Sequence, residues 1–437
     1  MIFKGCMSIL STCALRYVST RGAKLAALSG HRSIHSCRIL PAHVLSMSKP
    51  GCTGQKRSFT EMQREWLSKE VAVFDSSKSV ESAVTPPSSW FIDPLFYQME
   101  KSSILRKNWI AVGRTDQVND VGKFITGSIG DEPFIVTRDD GGTLRGFFNV
   151  CRHHATIIME EDEGRALNFQ CPYHGWTYKL DGRLMKATRL KGIKDFKASD
   201  FGLRPVQVST WGPLVFVKLD AEHTGPEPKK ILANLTPKLD ALGFSDGMKF
   251  VKRKTYKVNC NWKVFVDNYL DGGYHVEYAH KDLSQLLSLG SYKTEIHDGY
   301  SLQMSKGGDH DEGSSRVGSE VIYAHIYPNV MINRYGPWMD FNYVIPESHD
   351  SCNVIFDWFL EEKAMRSTDN DGLNKLINEN FVASEKVQDE DIEICNRVQK
   401  GLKSMSYDWG RYAPNVEAAD YEFHQRLAQQ FREYLKI

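Results

Sequence analysis

Cys151-Arg-His153 and Cys171-Pro-Tyr-His174, separated by seventeen residues, place two thiols and two imidazoles in two short segments. Each segment carries one sulfur and one nitrogen donor. That alternation suits a [2Fe–2S] cluster in which one iron takes the cysteines and the other the histidines. Replacing two thiolates by neutral imidazoles removes negative charge and lifts the reduction potential to roughly −150 to +300 mV. That range suits an electron acceptor that feeds an oxygen-activating site. Zinc is the competing chemistry for two Cys and two His, but zinc fingers pair C-x2–4-C with a distant H-x3–5-H. His154, beside His153, reads as a bystander.

A second group of donors follows in NWKVFVDNYLDGGYHVEYAH, residues 261–280. Trp262, Phe265, Val266, Tyr269 and Leu270 recur at helical spacing, which predicts an amphipathic helix to about residue 271. Gly272-Gly273 then breaks it, since each glycine costs a helix about 1 kcal/mol. His275 and His280 would stand about 140° apart on an ideal helix. Convergence on one metal therefore needs the irregular backbone that the glycines permit. Two histidines and one carboxylate make the facial triad of non-haem Fe(II), with positions open to oxygen. The third ligand is expected in a helix over 384–404, with Val387, Ile394, Val398 and Leu402 as its inward stripe. Asp391 falls on that stripe, where an unpaired carboxylate would be costly. Asp389 and Glu390 fall off it and read as solvated charge.

These donors need rigid supports. Residues 145–150 read as a strand delivering Cys151, and 176–180 as a strand leaving the second loop towards an Asp181-Gly182 turn. Residues 61–95 hold a short helical stretch and a Pro/Ser entry segment. From 96 to about 220, short apolar strands alternate with Gly- and Asp-rich turns, an all-β module. TGPEPKK at 224–230 is a linker candidate. Strands at 321–345 and 352–360, mixed with helices, predict an antiparallel sheet covered by helices. The expected organisation is an α+β chain: a leader over 1–60, an N-terminal segment and cluster domain over 61–222, and an iron domain over 223–437. The loop at 307–319, with His310, reads as solvated and mobile.

With these motifs in hand, the chain resembles the Rieske non-haem iron oxygenases, and within them the choline monooxygenases. The resemblance runs from about Thr85 to Pro414 and is carried by TPPSSWF, the cluster loops, CNWKVFVDNYLDGGYHVEYAH, YPNVMINRYGPWMD, EDIEICNRVQKGL and GRYAP. It implies a helix-grip-like catalytic domain behind the Rieske domain. It also implies hydroxylation of choline by O2 to hydrated betaine aldehyde, the first step towards glycine betaine, with electrons from a reduced ferredoxin or ferredoxin-type reductase. In such enzymes electrons cross between neighbouring subunits of a ring, usually a trimer. A quaternary ammonium substrate is held by aromatic faces. Tyr323, Tyr327, Tyr335, Trp338, Phe341 and Tyr343 supply them, and Trp338 and Tyr335 are carried as candidates. Carnitine monooxygenase, glycine betaine demethylase and a non-catalytic Rieske electron carrier are the alternatives. The respiratory carriers have an extra cysteine in each cluster loop, which this chain lacks.

Many relatives place an Asp three residues before the first iron-binding histidine to relay electrons between subunits. Here that position is Gly272, with Asp271 one residue further away. Glu277, two residues after His275, matches the bridging glutamate of the carnitine monooxygenases. On a helix it would point about 200° from His275, towards a partner cluster. Glu277 is therefore the expected bridge and Asp271 the alternative.

Composition sets the outer bounds. A net charge of +1 over 437 residues points to neither nucleic acid nor a polybasic membrane surface, and no apolar run reaches the roughly eighteen residues of a membrane span. Residues 1–60 hold nine Lys/Arg and no Asp or Glu, the mark of an organellar transit peptide. RSIHSCRIL at 32–40 favours the mitochondrial matrix over the chloroplast stroma. Cys260, Cys352 and Cys395 read as reduced core residues.

Overall fold

The structure, a computed structural model, describes residues 59–222, 225–307 and 317–437. The expected leader, and most of the 307–319 loop with His310, lie outside the described residues.

The alternating pattern of the cluster domain folds into a seven-stranded antiparallel sheet. Its order is Ile110–Arg114, Leu214–Lys218, Pro205–Trp211, Leu144–Phe148, Glu132–Arg138, Lys123–Ile129 and Glu163–Arg165. A small sheet of Phe169–Gln170, Thr177–Tyr178 and Leu184–Lys186 carries the second Cys-His loop. Its hairpin turns at Asp181-Gly182 as expected. Gly182 has φ +84°, and a Cβ there would lie 2.4 Å from the Phe147 ring, so only glycine fits. Phe124, Ile135, Phe169, Tyr178 and Leu203 pack around Cys151 and Cys171 in one apolar core.

The iron domain is built on a second seven-stranded antiparallel sheet. Its order is Met248–Val258, Ser351–Glu361, Trp338–Ser348, Val330–Tyr335, Glu320–Ile326, Tyr300–Gly307 and Leu287–His297. Strand alternation divides its two faces. Met331, Tyr335, Trp338, Val344, Val354 and Trp358 join the core that holds Trp262, Val266 and Phe381 of the helices. Ile332, Met339, Phe341, Tyr343 and Phe359 turn the other way, onto Trp109, Trp211 and Phe216 of the cluster domain. Two polar links fix that contact. Arg114 donates to the fully buried Asp357 at 3.1 Å, beside Arg253 at 2.6 Å. The Asn329 amide both accepts from Ala111 N–H and donates to its carbonyl, at 3.2 Å each. Losing one partner of a buried pair such as Arg114–Asp357 leaves a stranded charge, which costs about 3–5 kcal/mol.

One expectation needs correction. The all-β stretch begins at Ile110, not 96, because Asp93 caps a helix at Leu95 N–H (2.7 Å) with Pro94 in its first turn. Helical turns then continue to Leu105. This segment packs on the C-terminal helix Ala418–Leu435, with Trp90 and Phe96 at 5.0 and 5.7 Å from Phe431. Residues 89–105 and the helix Ala418–Leu435 thus brace one layer. Cys260, Cys352 and Cys395 are buried and unbridged. Among the described residues no helix is long and apolar enough to cross a membrane.

Candidate metal centres

The two cluster loops repeat one backbone design. Cys151 N–H donates to Thr156 O (2.9 Å) and Ala155 N–H to Cys151 O (3.0 Å); Cys171 N–H donates to Trp176 O (2.8 Å) and Gly175 N–H to Cys171 O (3.0 Å). The fifth residue of each loop turns left-handed, at φ 59° for Ala155 and 68° for Gly175. A non-glycine there carries strain that the surrounding bonds must hold.

These loops bring the four donors together. His153 Nδ1 lies 3.2 Å from His174 Nδ1, and the Tyr178 hydroxyl lies 3.3 Å from Cys151 Sγ while accepting from Arg152 N–H at 2.9 Å. Burial pushes the Cys171 thiol up, and Cys151 adds to this, while the Tyr173 and His174 amides pull it down. A cation's charge releases such a proton on binding. Both cysteines are buried and both histidines exposed. His154 stands edge-on to His153 at 4.0 Å. Among the described residues, only His275, His280 and Asp391 bring three donor atoms within 4.8 Å of one another. The Cys-His set is therefore spread wider than one tetrahedral zinc requires, which fits a two-iron cluster.

The candidate iron donors converge as the glycines permit. Helix Trp262–Leu270 starts at Asn261, whose side chain accepts from Lys263 N–H. It ends at Asp271, where Gly272 and Gly273 take φ +69° and +74°. A Cβ at Gly272 would lie 2.3 Å from Val416 O. The chain then makes one helical turn, Val276–Ala279, between the two histidines. His280 Nε2 lies 3.1 Å from His275 Nε2 and 3.0 Å from Asp391 Oδ1, and His275 Nε2 lies 3.5 Å from that oxygen. Asp391 is also held by Asn268 Nδ2 at 2.8 Å.

Each histidine is oriented from behind. Asp271 Oδ2 lies 2.6 Å from His275 Nδ1 and accepts from His275 N–H, while its Oδ1 accepts from Gly273 and Tyr274 N–H. Glu390 Oε2 lies 2.7 Å from His280 Nδ1. Burial lowers His280, but Asp391 and Glu390 together outweigh it and hold its pKa above the usual range. With Nδ1–H donated backwards, both Nε2 lone pairs face the metal position.

Two sequence expectations change here. Glu390 is not solvated charge. The inward stripe of the long helix Asn370–Gly401 runs through Phe381, Ser384, Gln388, Cys395 and Gln399, and Val398 is 44% exposed. Polar Ser and Gln on the inward face hid it from an apolar count. Asp391 still lies inward, three residues after Gln388, and Glu390 flanks it. Asn268, on helix Trp262–Leu270, gave no sequence signal beyond its place ahead of the two histidines. Asp389 and Glu277 are exposed.

Residues 108–197 match the Rieske [2Fe-2S] domain, and residues 245–433 the ring hydroxylating alpha subunit (catalytic domain). The chloroplastic choline monooxygenase of Arabidopsis thaliana is 44% identical over 368 residues, 82% of this chain and 85% of that one. The chain belongs to the choline monooxygenase family of Rieske oxygenases. The carnitine monooxygenase oxygenase subunit of Escherichia coli (strain K12) is a more distant relative, 27% identical over 81% of this chain and 95% of its own. A quaternary ammonium Rieske monooxygenase solved with L-carnitine superposes at TM-score 0.68 and 25% identity, over 80% of this chain and 96% of that one. As a family member the chain is an oxidoreductase with two iron cofactors, a Rieske cluster and a mononuclear iron. The comparisons correct the mitochondrial expectation, because the plant choline monooxygenases are chloroplastic. Arg-rich, acid-free leaders serve both organelles, so composition did not separate them.

The candidate aromatics move as well. Trp338 is 1% and Tyr335 6% exposed, so neither offers a ring face to a ligand. Tyr269 of helix Trp262–Leu270 and Tyr292 and Tyr323 of the sheet stay partly open and meet one another. Tyr292 and Tyr323 lie parallel at 6.5 Å, with Tyr269 perpendicular to Tyr323 at 6.4 Å. A Cβ on Gly273, two residues from His275, would lie 2.7 Å from the Tyr292 ring.

Proposed function

We propose that this protein hydroxylates choline at its alcohol-bearing carbon, giving hydrated betaine aldehyde, with O2 and electrons from a reduced ferredoxin. The observation that carries this reading is the open tyrosine corner beside His275, within a chain 44% identical to a choline monooxygenase. A trimethylammonium head is attracted to such ring faces by about 0.5–2 kcal/mol each. Iron held by His275, His280 and Asp391 supplies oxygen activation, and the cluster on Cys151, His153, Cys171 and His174 supplies single electrons. Asp271 and Glu390 keep the two imidazoles in the metal-binding tautomer. Tyr269, Tyr292 and Tyr323 hold the cation, so that the hydroxymethyl end extends towards the triad.

The assembly we infer is a ring, of trimer size, in which one chain's cluster serves the next chain's triad. Exposure of both cluster histidines, and of Glu277 and Tyr278 beside the triad, supports it. Glu277 is the bridge in this reading and Asp271 the alternative. Residues 1–60 are read as an organellar targeting leader. Purified holoprotein should be given a reductant, oxygen and, in parallel, choline, carnitine and glycine betaine, with products read by mass. Betaine aldehyde from choline is the expected product. Trimethylamine from carnitine, or dimethylglycine from glycine betaine, as the dominant product would replace choline as the substrate.

A further inference from the structure

The second cluster loop runs into a stretch, residues 179–197, whose charge is out of keeping with the rest of the chain. It carries seven Lys/Arg against two Asp/Glu, whereas the remainder of residues 61–437 carries 39 against 52. All seven cations are exposed. Among the described residues only Arg183 of the seven is ion-paired, to Asp181 at 2.6 Å. The inward side is equally distinct. Leu190 and Phe196 pack on the cluster core, which leaves Arg189, Lys191, Lys194 and Lys197 turned outward. Met185 and Ile193, 51% and 55% exposed, add apolar surface among the cations.

This loop also reaches both histidine donors. Thr188 Oγ1 donates to His174 O at 2.7 Å. Phe196 and Phe201 stack at 4.8 Å, and each meets Trp176 edge-on, at 5.9 and 5.7 Å. Trp176 in turn stacks on His153 at 4.7 Å and 9°. A partner seated on residues 179–197 would therefore stand over a continuous column of rings ending at a cluster ligand.

We propose that residues 179–197 are the docking surface for a small acidic electron-carrier protein of the plant-type [2Fe–2S] ferredoxin class. The proposal rests on the reading above that electrons come from such a carrier. Apolar side chains within a charged rim are the anatomy of a transient protein interface, and opposite charge steers such encounters. A membrane or nucleic acid is the poorer fit. Either presents an extended anionic surface that the acidic remainder of the chain repels, whereas a small carrier interacts chiefly within one screening length of about 10 Å.

The test titrates a recombinant plant-type ferredoxin onto the holoprotein, at low and high salt, by interferometry. Wild-type affinity should fall tenfold or more between the two salts. At low salt the Lys191→Glu/Lys194→Glu/Lys197→Glu variant should bind at least tenfold more weakly, and the corresponding Gln variant should fall between. The visible spectrum of the cluster checks that each variant is folded. Lys229→Glu/Lys230→Glu, exposed cations elsewhere, should stay within twofold. Unchanged binding by the triple Glu variant, or an equal loss in the control, would overturn the proposal. So would wild type that binds anionic phosphatidylglycerol vesicles or duplex DNA but not ferredoxin. Choline turnover driven by dithionite and methyl viologen tests the substrate reading separately. Its absence, with charge-dependent ferredoxin binding intact, would sink choline and leave the docking surface standing.

Discussion

Glu390 Oε2 sits 2.7 Å from His280 Nδ1, so a residue that reads as surface charge in the sequence orients a ring of the proposed iron triad. Its neighbour Asp391 takes the other nitrogen of the same ring at 3.0 Å. Removing such an outer partner typically costs 10–100-fold in metal affinity. Glu390→Ala should weaken iron binding by about that factor, seen by titrating Fe(II) into the apo-triad, with the cluster spectrum unchanged. Asp389→Ala, one residue away and exposed, is the control. Equal iron affinity in the two variants would return Glu390 to the surface.

Asp391 itself carries a stronger expectation. The holoprotein should hold about three irons and two acid-labile sulfides per chain. Asp391→Ala should lower iron by about one and keep the cluster spectrum, whereas His153→Ala should remove that spectrum. Asn268→Ala removes only the amide that steadies the carboxylate at 2.8 Å, so its iron loss should be partial. Full iron and activity in Asp391→Ala would break the triad assignment.

Legibility in the sequence followed the chemistry of each signal. Cys151, His153, Cys171 and His174 were readable because both donors of each loop are neighbours in sequence and no apolar pattern was needed. The helix over 262–270 was readable from period alone, and the double glycine announced the break that aims His275 and His280. Asp391 was chosen for a partly wrong reason. Its helix faces inward through Ser384, Gln388 and Gln399, so counting apolar residues put the stripe on Val398 and sent Glu390 to solvent. The tyrosine corner was legible only at Tyr323, one of the six aromatics offered, and Tyr269 and Tyr292 were missed for another reason. Tyr269, Tyr292 and Tyr323 come from a helix and two strands, and only the sheet register places them together.

Glu277 tests where electrons cross between chains. It is exposed, whereas Asp271 is committed to His275 by two contacts, at 2.6 and 3.0 Å. Glu277→Gln is nearly isosteric and should keep both metal sites, the oligomer and choline binding. Reduction of its cluster should also be normal, yet turnover should fall by about two orders of magnitude. Asp271→Asn should act differently, lowering iron affinity along with turnover. Near-normal turnover in Glu277→Gln, or lost turnover with full iron in Asp271→Asn, would move the bridge to Asp271.

His325 gives a prediction about stability rather than catalysis. It is buried against Phe423, and burial pushes its pKa down from 6.5 to about 4. The unfolded chain therefore binds a proton between these values that the folded chain refuses. With ν_U greater than ν_N, stability rises with pH across this window. It is fully present above about pH 6.5 and is lost as pH falls towards 4, by roughly 3 kcal/mol in all. His325→Gln removes this titration whatever it does to absolute stability. Melting temperatures of wild type and variant should run parallel from pH 7 to 8.5, and as pH drops from 6.5 to 5 that of wild type should fall further than that of the variant. Parallel curves throughout would mean that His325 takes up its proton in the fold as it does in the unfolded chain.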